Sequence, residues 1–243
     1  MELQTVRGIV FDCIGTLVKV RVNHEPQLKA LYRRLAKAGL KKSYPEFLQA
    51  YWQAYQKFLK IRVGELREIS NNFWVAEALR ILGSPLDAES KPVVEAVEAY
   101  FKPYVRSARP APCVPRLLEK LKSRFKLGVV TNFTYAPAMR FMLRRLKIEP
   151  HLDALVISHE VGWRKPHPKI FLTALEALDV KAEEALFVGD DPREDIGGAK
   201  GVGMKAALVL KPGDSDKGMV KVGEAKPDYV VESVCSLESL YKP

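Results

Sequence analysis

The sequence predicts an α/β fold, with a three-layer core on a mainly parallel sheet and an α-helical segment inserted into it. Two observations carry this expectation. Short, near-continuous apolar runs alternate with segments of helical spacing, the pattern of a parallel sheet covered on both faces. The alternation breaks once, from about 20 to 107, where only helical patterns occur. The 243 residues are 47% apolar and 28% charged, with 15 Gly and 16 Pro. That suffices for one large domain or two small ones and excludes a disordered or collagen-like chain.

The first apolar run, GIVFD over 8–12, reads as a buried strand ending in Asp12. The helical insert follows, with helical patterns over 26–38, 45–60, 66–82 and 89–104. Leu28, Leu31 and Leu35 share one helix face, and Gly39, Gly64 and Gly83 stand where helices can stop. Pro26, Pro45 and Pro85 stand near the expected starts. Trp52, Tyr55, Phe58, Phe73 and Trp74 follow helical spacing and are expected to pack, with a ligand-facing patch as the lesser reading. The proline-rich stretch 107–115 predicts a stiff connector. The core then resumes with helix 114–124 and strand 127–132, helix 136–147 and strand 154–158, helix 168–178 and strand 185–191. A short helical segment over 195–201, a strand over 204–210 and a last strand over 228–231 complete it. The expected division is 1–19 with 108–243 as a Rossmann-like core, and 20–107 as the insert.

In such sheets ligands lie beyond the carboxyl ends of the strands. Asp12, Thr131, Asn132, Asp190 and Asp191 all fall there. A carboxylate before a Gly-Thr turn suits a nucleophile or a metal ligand, and Thr16 can donate a hydrogen bond that orients a carboxylate. Thr131 and Asn132 can hold anionic oxygens or cap a helix. Lys165, just before a Pro-x-Pro helix start, is placed to neutralise a carboxylate and a substrate anion together. Trp163 and Arg164 are candidates for the rim. Asp190, Asp191 and Asp195 would repel Asp12 unless a hard cation such as Mg²⁺ intervened. Asp190 is expected as a direct or water-mediated ligand and Asp195 as a ligand or a partner of one. Asp191 suits either place. His24, His151, His159 and His167 are too scattered for a linear metal motif, and only His167 lies near Lys165.

The net charge of +10 allows nucleic acid, a small anion or plain solubility. Residues 19–42 hold eight Lys or Arg against one acid, and 109–147 hold ten against one. No zinc-finger spacing and no basic–aromatic RNA-binding motif is present, so nucleic acid has only the charge in its favour. No apolar run reaches 18 residues and no leader pattern opens the chain, so neither a membrane nor export is expected. Cys13, Cys113 and Cys235 form no disulfide framework or zinc motif by count and spacing, which predicts a reducing, cytoplasmic setting with Cys113 and Cys235 inert. Only 5 Gln and 4 Asn stand beside many Lys, Arg and Glu, a composition that suits a heat-adapted source. The oligomeric state is left open.

Four segments taken together resemble the four motifs of the haloacid dehalogenase-like hydrolase superfamily. They are VFDCIGTLV (10–18), VVTN (129–132), RKPHPKIF (164–171) and FVGDDPREDIGGA (187–199). The insert resembles the type-one helical cap of that superfamily. The resemblance implies that Asp12 forms a covalent aspartyl intermediate, that Thr131 binds the transferred group and that Lys165 stabilises the nucleophile. It implies Mg²⁺ held by Asp12, Asp190, Asp195 and the backbone carbonyl of Ile14, and a cap that opens and closes over the substrate. One position departs from the phosphatase pattern. A second aspartate, two residues after the nucleophile, protonates the leaving group there; here Ile14 has no proton to give. The neighbouring Cys13 is expected to point the other way. The expectation is therefore a phosphatase-like hydrolase of a small phosphorylated metabolite, slowed or biased toward good leaving groups. Ile14 keeps two alternatives open, a metal-independent 2-haloacid dehalogenase and a catalytically impaired small-anion binding or regulatory protein. Phosphonate-cleaving relatives use a Schiff-base lysine in the cap, and Lys29, Lys37 and Lys57 are its candidates without one being singled out.

Overall fold

The computed structural model describes residues 5–21, 23–210 and 225–240. Six strands form one parallel sheet: β1 (Gly8–Phe11), β4 (Lys126–Thr131), β5 (Ala154–Ile157), β6 (Ala185–Gly189), β7 (Lys205–Val209) and β8 (Tyr229–Val231). Their order is β5-β4-β1-β6-β7-β8. The chain thus builds outward from β1 to one side, then returns to β1's other edge and builds the opposite way. β1, β4 and β6 flank that reversal, which is where a doubly wound sheet opens a crevice. β1 and β6 are buried along their whole length, as their unbroken apolar sequences GIVF and ALFVG require.

Helix α5 (Val114–Lys122) precedes β4 and buries Val114, Leu117, Leu118 and Leu121 on one face. Helix α6 (Ala136–Arg145) links β4 to β5, and a single turn, α7 (Ser158–Val161), follows β5. Helix α8 (Pro168–Leu178) starts on Pro168, with the His167 ring accepting from Lys169 N at 3.2 Å as its cap. It buries Ile170, Phe171, Ala174, Leu175 and Leu178 in the core cluster beside β4 and β6. Where a short helix was expected over 195–201, a π-helix (Pro192–Gly197) comes first and α9 (Gly198–Gly201) follows it. A final turn, α10 (Leu237–Leu240), ends the described chain. The two segments that join core and insert pair as an antiparallel ribbon, β2 (Val18–Lys19) with β3 (Arg109–Pro110), and Ala111 N donates to Leu17 O at 3.0 Å. That pairing gives the proline-rich connector its fixed course.

The insert contains α1 (His24–Lys37), α2 (Tyr44–Gly64), α3 (Asn71–Ile81) and α4 (Lys91–Ser107). Ser43 and Glu46 form a capping box that starts α2. The third helix begins later than its spacing predicted. Leu66 adopts φ 55°, Glu68 turns inward to pair with Arg62 at 2.7 Å, and Ser70 caps α3 through Asn72 N. Tyr51, Trp52, Tyr55 and Trp74 make successive edge-to-face contacts with ring centroids 5.3–5.6 Å apart. Phe73, expected to pack, is exposed.

The chain divides into two compact units, Met1–Lys19, Arg109–Asn132 and Leu143–Pro243 in one, Val20–Ala108 and Phe133–Met142 in the other. Residues 133–142 group with the helices, whereas the sequence reading assigned them to the core. Aromatic contacts account for this: the Phe101 ring lies 5.2 Å from that of Phe133 and stacks on Tyr135 at 5.5 Å.

The cysteine expectation is corrected. Cys113 and Cys235 are joined by a disulfide across 122 residues of sequence, with Cα atoms 5.7 Å apart. The fold brings the start of α5 to the 3₁₀ turn Val234–Ser236, a contact that spacing along the chain does not encode. Cross-links of this span restrict the unfolded chain, and intracellular examples are known from hyperthermophiles. Thiol reduction, or Cys113→Ser, is expected to lower stability by about 2–5 kcal/mol, read as a fall in Tm.

Candidate active site

The ends of β1, β4 and β6 and the turn before α8 converge on one buried ammonium group. Lys165 Nζ donates to Asp12 Oδ1 at 2.6 Å, to Asp195 Oδ1 at 2.7 Å and to the carbonyl of Val130 at 3.1 Å. Lys165 is 2% exposed, Asp12 7% and Asp195 1%. The second oxygen of Asp195 accepts from Asp190 N and Asp191 N, both at 3.0 Å, so both of its oxygens are engaged. The second oxygen of Asp12 is buried and accepts no hydrogen bond from the described residues. Thr16 donates a long 3.5 Å hydrogen bond to Asp190 Oδ1. Two glycines make room here. Gly15 adopts φ 107°, and a Cβ on it would stand 2.5 Å from Asp190 Oδ2; a Cβ on Gly189 would collide with Asp195.

Burial pushes Asp12 up to about 7. Lys165 pulls it back, while the neighbouring Asp195 and Asp190 raise it further. Burial likewise raises Asp195 against the pull of Lys165. For Lys165, burial acts downward, but the two carboxylates outweigh it and hold the ammonium charged beyond the usual lysine range. Among the described residues, Lys165 pairs with both Asp12 and Asp195 while Asp190 raises Asp12 further, an acidic setting that favours an additional positive group. Asp12, Asp190 and Asp195 each offer an oxygen within 4.8 Å of the others. An all-oxygen donor set with one unpartnered carboxylate oxygen suits a hard divalent cation such as Mg²⁺.

A sequence model of the haloacid dehalogenase-like hydrolase family matches residues 6–203. The chain belongs to that family. A glyceraldehyde 3-phosphate phosphatase of Methanopyrus kandleri is 32% identical over 207 residues, covering 85% of this chain and 84% of its own. The solved 2-haloacid dehalogenase of Pseudomonas syringae pv. Tomato DC3000 superposes with a TM-score of 0.72 at 23% identity over 97% of both chains, which shows a common fold. A HAD phosphatase of Thermococcus onnurineus gives a TM-score of 0.63 at 25% identity over 97% of both chains.

In this haloacid dehalogenase-like hydrolase, Asp12, Thr16, Lys165, Asp190 and Asp195 meet within one hydrogen-bonded group. Thr131 lies buried at the end of β4. Asn132 is occupied differently from an anion-binding amide. Its Oδ1 accepts from Lys165 N at 2.7 Å, and its Nδ2 donates to Lys165 O at 3.1 Å. Asp191 acts as a cap, accepting from Arg193 N and Glu194 N at 2.9 and 2.7 Å. His167 caps α8 and stacks on Trp163 at 3.9 Å. Cys13 is fully buried and its thiol is pushed well up by burial, so it stays neutral. Sequence reasoning missed Glu194, which accepts from Asn132 Nδ2 at 2.8 Å and from Arg164 at 3.0 Å. Its only signal was its place in the acidic run 190–195.

Proposed function

We propose that this hydrolase is a Mg²⁺-dependent phosphatase of a small phosphorylated metabolite, with Asp12 as covalent nucleophile. The observation that carries the reading is the lone oxygen of Asp12. Its partner oxygen is pinned by Lys165, leaving Oδ2 buried and, among the described residues, without a hydrogen-bond partner. Oδ2 attacks phosphorus, the P–O bond to the leaving group breaks, and an aspartyl phosphate forms; water then attacks phosphorus and returns the carboxylate and inorganic phosphate. Lys165 holds the nucleophile's orientation and offsets the charge gathering beside it.

Asp12, Asp190 and the backbone carbonyl of Ile14 would hold the cation, with Asp195 fixing Lys165 and the backbone at 190–191. Mg²⁺ bound there supplies positive charge to the phosphoryl oxygens as they become more negative. Thr131 is assigned to the transferred phosphoryl group. The basic segments at 19–42 and 109–147 suit an anionic substrate, and the name of the Methanopyrus relative points to a short phosphorylated sugar. The helical unit, assigned here as a cap, has its own cavity of about 200 Å³ walled by Tyr51, Trp52, Tyr55, Trp74, Tyr100 and Phe101. Among the described residues no carboxylate lines it, which suits neutral hydroxylated groups.

The test is a substrate panel containing glyceraldehyde 3-phosphate, an acyl phosphate, p-nitrophenyl phosphate and 2-chloropropionate, each with Mg²⁺ and with EDTA. Phosphate release in Mg²⁺, lost in EDTA, is expected. Halide release unaffected by EDTA would instead establish the dehalogenase reading that Ile14 favours, and binding without any product would establish a binding protein.

A further inference from the structure

We propose that Glu194 is a positioning residue, which sets the catalytic lysine by holding Asn132 against the backbone of Lys165. The inference rests on the reading of Asp12 as nucleophile and Lys165 as its counter-ion. Lys165 carries four rotatable side-chain bonds, yet its ammonium sits within 2.6–2.7 Å of two separate carboxylates. Such precision needs a fixed root as well as a fixed tip.

Asn132 supplies the root. Its amide closes a two-bond ring with the N–H and C=O of Lys165, at 2.7 and 3.1 Å. Its Nδ2 also donates to Glu194 Oε2 at 2.8 Å. A reversed amide would set Oδ1 against the Glu194 carboxylate, oxygen facing oxygen, so Glu194 selects the orientation that Lys165 needs. The other Glu194 oxygen accepts from Arg164 at 3.0 Å, restraining the residue just before the lysine. The neighbouring residue in sequence, Asp195, binds the Lys165 ammonium itself. From one π-helical turn, Glu194 acts on the backbone of Lys165 through Asn132, and Asp195 binds its tip directly. A π turn lets two consecutive residues both face the site.

The prediction is a loss of kcat rather than of binding. Glu194→Ala should lower kcat on the phosphatase substrate by about 10–100-fold while KM stays within about 2-fold, as expected when a reacting group drifts from its place. Mg²⁺ binding, titrated calorimetrically without substrate, should stay within about 2-fold, since the carboxylate of Glu194 is engaged by Asn132 and Arg164. Glu194→Gln keeps an oxygen for Asn132 and should lie within about 5-fold of the parent kcat.

The deciding measurement is a double-mutant cycle. If Glu194 acts through Asn132, adding Glu194→Ala to Asn132→Ala should cost no more than about 3-fold beyond Asn132→Ala alone. Full multiplication of the two losses, an unchanged kcat in Glu194→Ala, or a matching loss of Mg²⁺ binding would each overturn the proposal. Should Glu194→Ala not fold, the cycle is run with Glu194→Leu, which keeps the bulk. Asp12→Asn is measured in parallel. If it abolishes turnover while Glu194→Ala does not lower it, the positioning role alone fails. If Asp12→Asn stays active, the underlying nucleophile reading fails and takes this one with it.

Discussion

Asp12→Asn is expected to abolish phosphate release, lowering kcat by roughly 10⁴–10⁶-fold, the scale of removing a covalent nucleophile. The amide keeps the size of the side chain and can accept from Lys165, so the fold around it should persist. The same substitution is expected to make the metal-free protein more stable. In the parent one ammonium faces Asp12 and Asp195 in a dry setting, with Asp190 beside them. Replacing Asp12 leaves a balanced Lys165–Asp195 pair. The sign follows from proton binding. With Asp12 raised to about 7 from an ordinary 3.8, the folded chain holds a proton through a window where the unfolded chain has lost it. The contribution of this group to stability therefore falls as pH rises from near 4 to near 7, and stays at its low value above that. In EDTA, the Tm of Asp12→Asn should exceed that of the parent at pH 8 and converge with it near pH 4. Full activity in this variant would remove Asp12 from the chemistry. A lower Tm at pH 8 would show that its charge supports the fold instead of straining it.

The centre of the candidate site was legible in the sequence because it places charged groups where burial is expected. A carboxylate closing a buried apolar strand breaks the local rule for burial, and such a breach marks function. Asp12 and the 190–195 run both break it, and Lys165 stands out because a Pro-x-Pro start holds it in place. The supporting residues break no local rule. Asn132 reads as an anion ligand, with a helix cap as the lesser reading, and its bonds to the backbone of residue 165, 33 positions away, leave no signal in the sequence. The run DDPRED offers four acids in six positions. Whether each caps, binds the lysine or holds Asn132 depends on the π-helical turn, which no periodicity announced. The Cys113–Cys235 pair and the grouping of 133–142 with the helices were not legible for the same reason. Both follow from tertiary contacts, between α5 and the chain's end and between Phe101 and Tyr135, that leave no spacing signal.

Ile14→Asp is expected to raise turnover of alkyl phosphates by roughly 10²–10⁴-fold, the usual value of one well-placed general acid. Position 14 is where the phosphatase pattern carries its second aspartate, and the neighbouring Cys13 is buried with its thiol neutral. Ile14 is only partly buried, and its backbone already bridges to Val18 across the turn that Gly15 allows. A carboxyl group fits this position without displacing core packing. Placed among Asp12 and Asp190, it should also hold its proton more tightly than a free aspartate does, as a general acid at neutral pH requires. The gain should depend on the leaving group. An alkoxide leaving from a sugar phosphate needs a proton as the P–O bond breaks, whereas p-nitrophenolate and acyl leaving groups scarcely do. The ratio of alkyl to aryl turnover, measured in both proteins, isolates proton transfer from any change in phosphate binding. A rise confined to the alkyl substrate supports an otherwise complete phosphatase site with its acid replaced by isoleucine. An equal rise on both substrates would mean that the new carboxylate acts on the metal or the phosphate. No change on either would mean that another group already delivers the proton.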